Sequence, residues 1–114
     1  MPLLRIQTNQ TIDTQRHEHV LKQFSHLVAQ ALGKPEDYTM IALDTDSALM
    51  FAGTMQPAAF VELKAIHLPA DLTAELSRLL CERISAELGI EPQRVYLNFT
   101  DVPANFWGWN GETF

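Results

Sequence analysis

A single cysteine, Cys81, stands among the 114 residues, so the chain has no partner thiol with which to close an internal disulfide. Thiol-disulfide exchange needs an attacking and a resolving sulfur, and it is excluded with the pair. A lone thiol fits a reducing compartment, and the cytoplasm is the expected location. Basic residues are also scarce: eight Lys and Arg stand against fourteen Asp and Glu, giving a formal charge of -6. Such a surface repels phosphate backbones instead of releasing their counterions. Arg5, Arg16, Lys22, Lys34, Lys64, Arg78, Arg83 and Arg94 are scattered and form no stripe, so no nucleic-acid partner is expected. No apolar run is long enough to span a bilayer, and the first residues lack the basic and apolar regions of a signal peptide. No membrane partner is expected. Phosphate-binding loops, dinucleotide glycine fingerprints, nucleophile elbows and zinc motifs are all missing, which points to chemistry without a cofactor. His17 and His19 point apart on a helix and His26 completes no metal-binding motif, so no metal is expected either.

What is present reads as one domain over residues 1–114, written twice. Residues 32–41 are echoed by 88–97. In each copy a glycine (Gly33, Gly89) ends an apolar-periodic helix, a proline (Pro35, Pro92) prevents its continuation, and an alternating apolar segment follows. Val20, Leu21, Phe24, Leu27, Val28 and Ala31 form the buried stripe of a first helix over about 14–32, with Asp13 as N-cap. Leu72, Leu76, Leu79, Leu80 and Ile84 mark a second over about 70–88, with Asp71 or Thr73 near its start. Cys81 lies on that stripe as a small hydrophobe. Strand-like runs over 3–7, 38–43, 58–66 and 95–100 bracket the helices, giving βαβ twice. Helical crossovers impose parallel pairing and a right-handed connection. The expected fold is α/β (α+β): a four-stranded mixed sheet with both helices on one face. Because 58–66 and 95–100 carry apolar residues on both sides, the uncovered face calls for a partner, and a second copy of the chain is the simplest one.

Pro2 follows the initiator Met, which cells ordinarily remove before a small residue, leaving a secondary amine at the head of the first strand. An α-amine has a pKa of about 7.7 to 8.0, and burial or a neighbouring cation pushes it down, toward a base suited to abstracting a proton next to a carbonyl. A proline at the first position of a strand is equally well tolerated without any chemistry, so the residue alone does not separate the two readings. Loss of Met1 is a condition of the catalytic one.

Further pieces join these: Thr8-Asn9 after the first strand, Gly33-Lys34-Pro35 with Tyr38, Met50-Phe51-Ala52-Gly53 with Pro57, and Ile66. Leu79-Leu80-Cys81, Arg94-Val95-Tyr96-Leu97-Asn98, Gly108-Trp109-Asn110 and the closing Thr113-Phe114 complete the series. In this order and spacing the chain resembles the macrophage migration inhibitory factor family of the tautomerase superfamily over its whole length. The resemblance implies a homotrimer with active sites between subunits and Pro2 as acid/base catalyst of keto-enol tautomerisation. Phenylpyruvate-like or dopachrome-like compounds, small aromatic or anionic, are the implied substrates. It places the family's cation on Lys34, which belongs to both catalysis and substrate binding, and its backbone contact on Ile66. Tyr96 and Asn98 come from the adjacent subunit. Tyr96, Asn98 and Thr100 share one face of a period-2 strand opposite Val95, Leu97 and Phe99, in keeping with that assignment. The cluster Phe106-Trp107-Gly108-Trp109-Asn110 forms an aromatic wall suited to planar substrates, with Trp107 and Trp109 as substrate contacts, or else packs between subunits.

The departures from the family carry expectations of their own. The Cys-x-x-Cys of vertebrate members reads Ala58 and Val61 here, so thiol oxidoreductase activity is not expected. Where the family has Ser-Ile-Gly this chain has Ala65-Ile66-His67, and a tryptophan, Trp107, replaces a small aliphatic residue at the pocket. Three alternatives remain at this stage: decarboxylation, hydration or dehalogenation by the same proline; a cytokine-like protein whose partner is a receptor; and an inactive structural trimer. The family also exports members that lack signal peptides, so the cytoplasm is the expectation from the missing signal alone.

Overall fold

The computed structural model describes all 114 residues. Strand β1 (Pro2–Thr8) leads into helix α1 (Thr14–Leu32), and β2 (Met40–Asp44) returns parallel to β1. The second unit repeats the design with β3 (Ala59–Ile66), α2 (Thr73–Leu88) and β4 (Val95–Val102), β3 and β4 again being parallel. The two units join where β1 and β3 run antiparallel, giving the order β2-β1-β3-β4. The chain closes on a small hairpin, β5 (Gly108–Trp109) and β6 (Glu112–Thr113). No helix is long and apolar enough to cross a membrane.

Local chemistry sets the limits of the helices. Asp13 caps α1, its carboxylate accepting from the backbone N–H of Gln15 at 3.0 Å. Gly33 ends it in the left-handed conformation at φ 63°, and the N–H of Lys34 folds back to the carbonyl of Ala29 at 2.9 Å. Gly89 ends α2 in the same way at φ 67°. The start of α2 departs from the expected capping. Neither Asp71 nor Thr73 caps it; a 3-10 turn over Ala70–Leu72 feeds directly into the helix, and the Thr73 hydroxyl donates to the carbonyl of Ala70. The run expected as a strand over 38–43 begins later, because Glu36–Tyr38 forms a 3-10 turn that Pro35 initiates.

Both helices cover the face of the sheet built from Leu4 and Ile6 of β1, Val61 and Leu63 of β3, and Val95 of β4. Phe24 and Val28 of α1 and Leu76, Leu80 and Ile84 of α2 close the core from the helix side. Each such fully buried side chain contributes roughly 1.5–3 kcal/mol. The buried polar Thr8 is satisfied, its hydroxyl donating to the Ala58 carbonyl at 2.8 Å and accepting from the Gln10 N–H. Cys81 is half-buried against this core, and burial pushes its thiol pKa up, as a structural cysteine requires.

The open face is more polar than the apolar run lengths of the strands suggest. Arg5 at its centre pairs with Asp44 of β2 at 3.0 Å and with Glu62 of β3 at 3.2 Å. Apolar groups concentrate toward its ends, at Leu3 and Met40 on one side and at Phe60 and Tyr96 on the other. Strict alternation puts these charges here, since Arg5 and Glu62 occupy the parity opposite Leu4 and Leu63.

Candidate active site

Pro2 is buried at the head of β1, in register with Ala65 near the end of β3. Because β3 and β4 are parallel, the ends of both strands, Ala65 and Asp101, lie in the same row. Lys34 reaches this row from the far end of α1. The left-handed turn at Gly33 redirects the chain, and the half-buried Lys34 ammonium donates to the Ile66 carbonyl at 2.8 Å. Two of the residues singled out from sequence, Lys34 and Ile66, are thus in direct contact across 32 positions of chain. Immediately after Ile66, His67 takes a left-handed φ of 56°, a conformation that ordinarily favours glycine. His67 itself is exposed.

The terminal amine, carried by Met1 in this structure, is pushed below its ordinary pKa first by burial and then by the Lys34 cation. Both effects favour the neutral form. They act on the segment where loss of Met1 would uncover the amine of Pro2, a residue more deeply buried than Met1.

Beside this segment opens a cavity of about 700 Å³ over the open face of the sheet. Pro2, Leu3, Lys64, Thr100 and Val102 form its floor, and Tyr38, Met40, Phe106, Trp107, Trp109 and Phe114 form much of its walls. Tyr38 meets Trp109 edge-on with ring centroids 5.4 Å apart, and Trp109 stacks on Phe114 at 5.9 Å. The β5–β6 hairpin presents Trp109, and the Phe114 N–H donates to the Trp107 carbonyl at 3.2 Å, holding both tryptophans in the wall. A volume and an aromatic lining of this kind suit a small planar organic molecule.

Tyr96 and Asn98 are not part of this cavity. Both lie on the open face, Asn98 in mid-strand in register with Glu62 and Tyr96 toward the other end of β4, where its ring meets Phe51 edge-on at 4.6 Å. Tyr96 stands five positions before Asp101, so it lies on the order of 16 Å along the strand from the Pro2 row at about 3.3 Å per residue. Phe51 is held in turn by Arg94. Its guanidinium lies 5.2 Å from the ring centroid and donates to the carbonyls of Phe51, Gln56, Pro57 and Thr54. Sequence-based expectation omitted Lys64, Tyr38 and Phe114 from the site, although Tyr38 and Phe114 lie within the motifs that carry the family resemblance.

The three remaining histidines have local explanations. His17 hydrogen-bonds the Ile12 carbonyl at 3.0 Å, while His19 and His26 sit beside Glu87 and Glu36.

The sequence profile of the family described as Macrophage migration inhibitory factor (MIF) matches residues 1–114. The chain belongs to this family. It is 36% identical to the macrophage migration inhibitory factor of Rattus norvegicus over 115 residues, covering 100% of this chain and 99% of that protein. Among solved structures, a MIF homologue from Prochlorococcus marinus superposes with a TM-score of 0.93 at 40% identity, over 98% of each chain. MIF from Trichinella spiralis gives 0.91 at 32% identity, covering 98% of this chain and 99% of that one. The paired βαβ units over one mixed sheet are therefore the MIF fold of the tautomerase superfamily. Within that fold, this MIF-family chain brings the Lys34–Ile66 contact to the end of the sheet where Pro2 lies, and Trp107 and Trp109 line a cavity shared with Pro2.

Proposed function

We propose that the chain is a cofactor-independent keto-enol tautomerase of phenylpyruvate-like or dopachrome-like compounds, with the amine of Pro2, freed by loss of Met1, as acid/base catalyst. The observation that carries this reading is the position of Pro2, buried beside an aromatic-walled cavity, in a segment where burial and then Lys34 lower the pKa of the amine carried here by Met1. A neutral secondary amine can take the hydroxyl proton of an enol and return it to the adjacent carbon, so no proton is gained or lost overall. Lys34, fixed by the Ile66 carbonyl, stabilises negative charge that develops on the substrate oxygen.

The reading includes a homotrimer. Tyr96 and Asn98 lie too far along β4 to reach the Pro2 of their own chain, and both are exposed, as side chains offered to a neighbour's site would be. Closed cyclic symmetry allows every copy to give and receive such residues. The test is the loss of enol absorbance when Met1-free protein is mixed with enol phenylpyruvate, beside an equally processed Pro2→Gly variant. Turnover that falls by two or more orders of magnitude in the variant supports the reading, and unchanged turnover overturns it.

A further inference from the structure

Two lysines stand near Pro2, and they differ in what they have left to offer. One of the three N–H donors of the Lys34 ammonium is held by the Ile66 carbonyl, which fixes the side chain, and Lys34 lies outside the cavity's lining. Lys64 does line it, on the open face of β3 in register with Leu3 and Thr100, which share the floor. It is exposed and makes neither an ion pair nor a hydrogen bond to a protein acceptor. The nearest carboxylates in sequence and register are occupied elsewhere: Glu62 holds Arg5, and Asp101 accepts from the Leu68 N–H. Asp37, an acid on the wall of the same cavity, comes within ion-pair distance of no cation. Lys64 is therefore the one side-chain cation in the cavity's lining, unpaired and set between largely aromatic walls.

We infer that Lys64 is a specificity-determining residue of this site, binding the carboxylate of an aromatic acid whose ring lies against Trp107 and Trp109. The inference rests on the reading that substrate occupies the cavity beside Pro2, and it names which group there selects an anion. An ammonium on a flexible stem is suited to this task, since it follows a carboxylate without fixed bidentate geometry. Partial enclosure by aromatic walls strengthens the pairing relative to open water. Lys34 is left to its fixed position beside the amine, and Lys64 discriminates between charged and neutral ligands of the same shape.

The two tryptophans of the chain both line the cavity, so intrinsic tryptophan fluorescence reports its occupancy without any need for turnover. Full-length protein is titrated with cinnamate and with cinnamamide, a carboxylate and a neutral analogue of matching shape. The same titrations are run on Lys64→Met and Lys64→Arg variants. The inference predicts that Lys64→Met weakens cinnamate by about five- to tenfold, leaves cinnamamide unchanged, and is rescued by Lys64→Arg. Equal weakening of both ligands, unchanged cinnamate affinity in Lys64→Met, or no quenching of the wild type by millimolar cinnamate would each overturn it. Turnover of enol phenylpyruvate by the same samples tests the Pro2 reading separately, so a catalytic protein that binds cinnamate without Lys64 is told apart from an inactive one.

Discussion

At the scale of single residues, the proposed chemistry depends on the charge state of the Pro2 amine. Burial and Lys34 both lower the pKa of the amine that Met1 carries at this position, and in the proposed mechanism the same two effects extend to Pro2, where the Lys34 contribution can be removed by mutation. The neutral amine is the reactive form, so activity falls as pH drops through its pKa. Taking away the neighbouring cation raises that pKa and moves the acidic limb of kcat/KM to higher pH in Lys34→Ala. A pH profile in which the limb stays in place while only the plateau falls would restrict Lys34 to substrate binding. The residues expected at this site were legible unequally. Pro2, Lys34 and Ile66 were visible through their motifs, and Lys34 and Ile66 are in direct contact beside the row of Pro2. Lys64 was invisible because nothing in its neighbourhood of chain marks it. It enters the cavity only through the pairing of β3 with β1 and β4.

At the scale of elements, the two βαβ units owe their limits to local signals that sequence carries well. The apolar stripe of α1 predicted residues 14–32, and the helix runs over Thr14–Leu32. Gly33 matters doubly, since it ends α1 and aims Lys34 at Ile66. No heavy atom lies within 4 Å of where a Cβ would sit on Gly33, so substitution costs backbone strain alone. Gly33→Ala is expected to lower stability by about 1 kcal/mol in chemical denaturation, while a loss above about 3 kcal/mol would mean that the turn carries packing as well. Pieces too short for periodicity were not legible. The β5 and β6 strands have two residues each, and the turns over Glu36–Tyr38 and Ala70–Leu72 interrupt patterns that read as a longer strand and a longer helix.

At the scale of the whole molecule, one chain assembles a cavity and an amine but leaves Tyr96 and Asn98 exposed on the open face of β4, outside that cavity. Sequence pattern pointed to a partner through an apolar open face, and the actual face is divided by the Arg5 ion pairs into a charged centre and apolar ends. Tyr96 at 65% exposure, Met40 at 65% and Phe106 at 76% remain large apolar groups in want of cover. A homotrimer of a 12.9 kDa chain has a mass of about 39 kDa, the value expected from sedimentation or light scattering. A stable monomer with full activity would remove any role for a neighbour's Tyr96 and Asn98.

The central claim is that the reacting group is the amine of Pro2, and it is tested most directly by comparing two forms of the same unmutated chain. In one, Met1 has been removed and Pro2 carries a basic lone pair; in the other, Met1 is retained and the Pro2 nitrogen is an amide. Mass spectrometry assigns each form, and loss of enol phenylpyruvate absorbance is followed for both at equal concentration. The account predicts turnover by the Met1-free form and near-background rates in the other. Equal turnover by the two forms would contradict it.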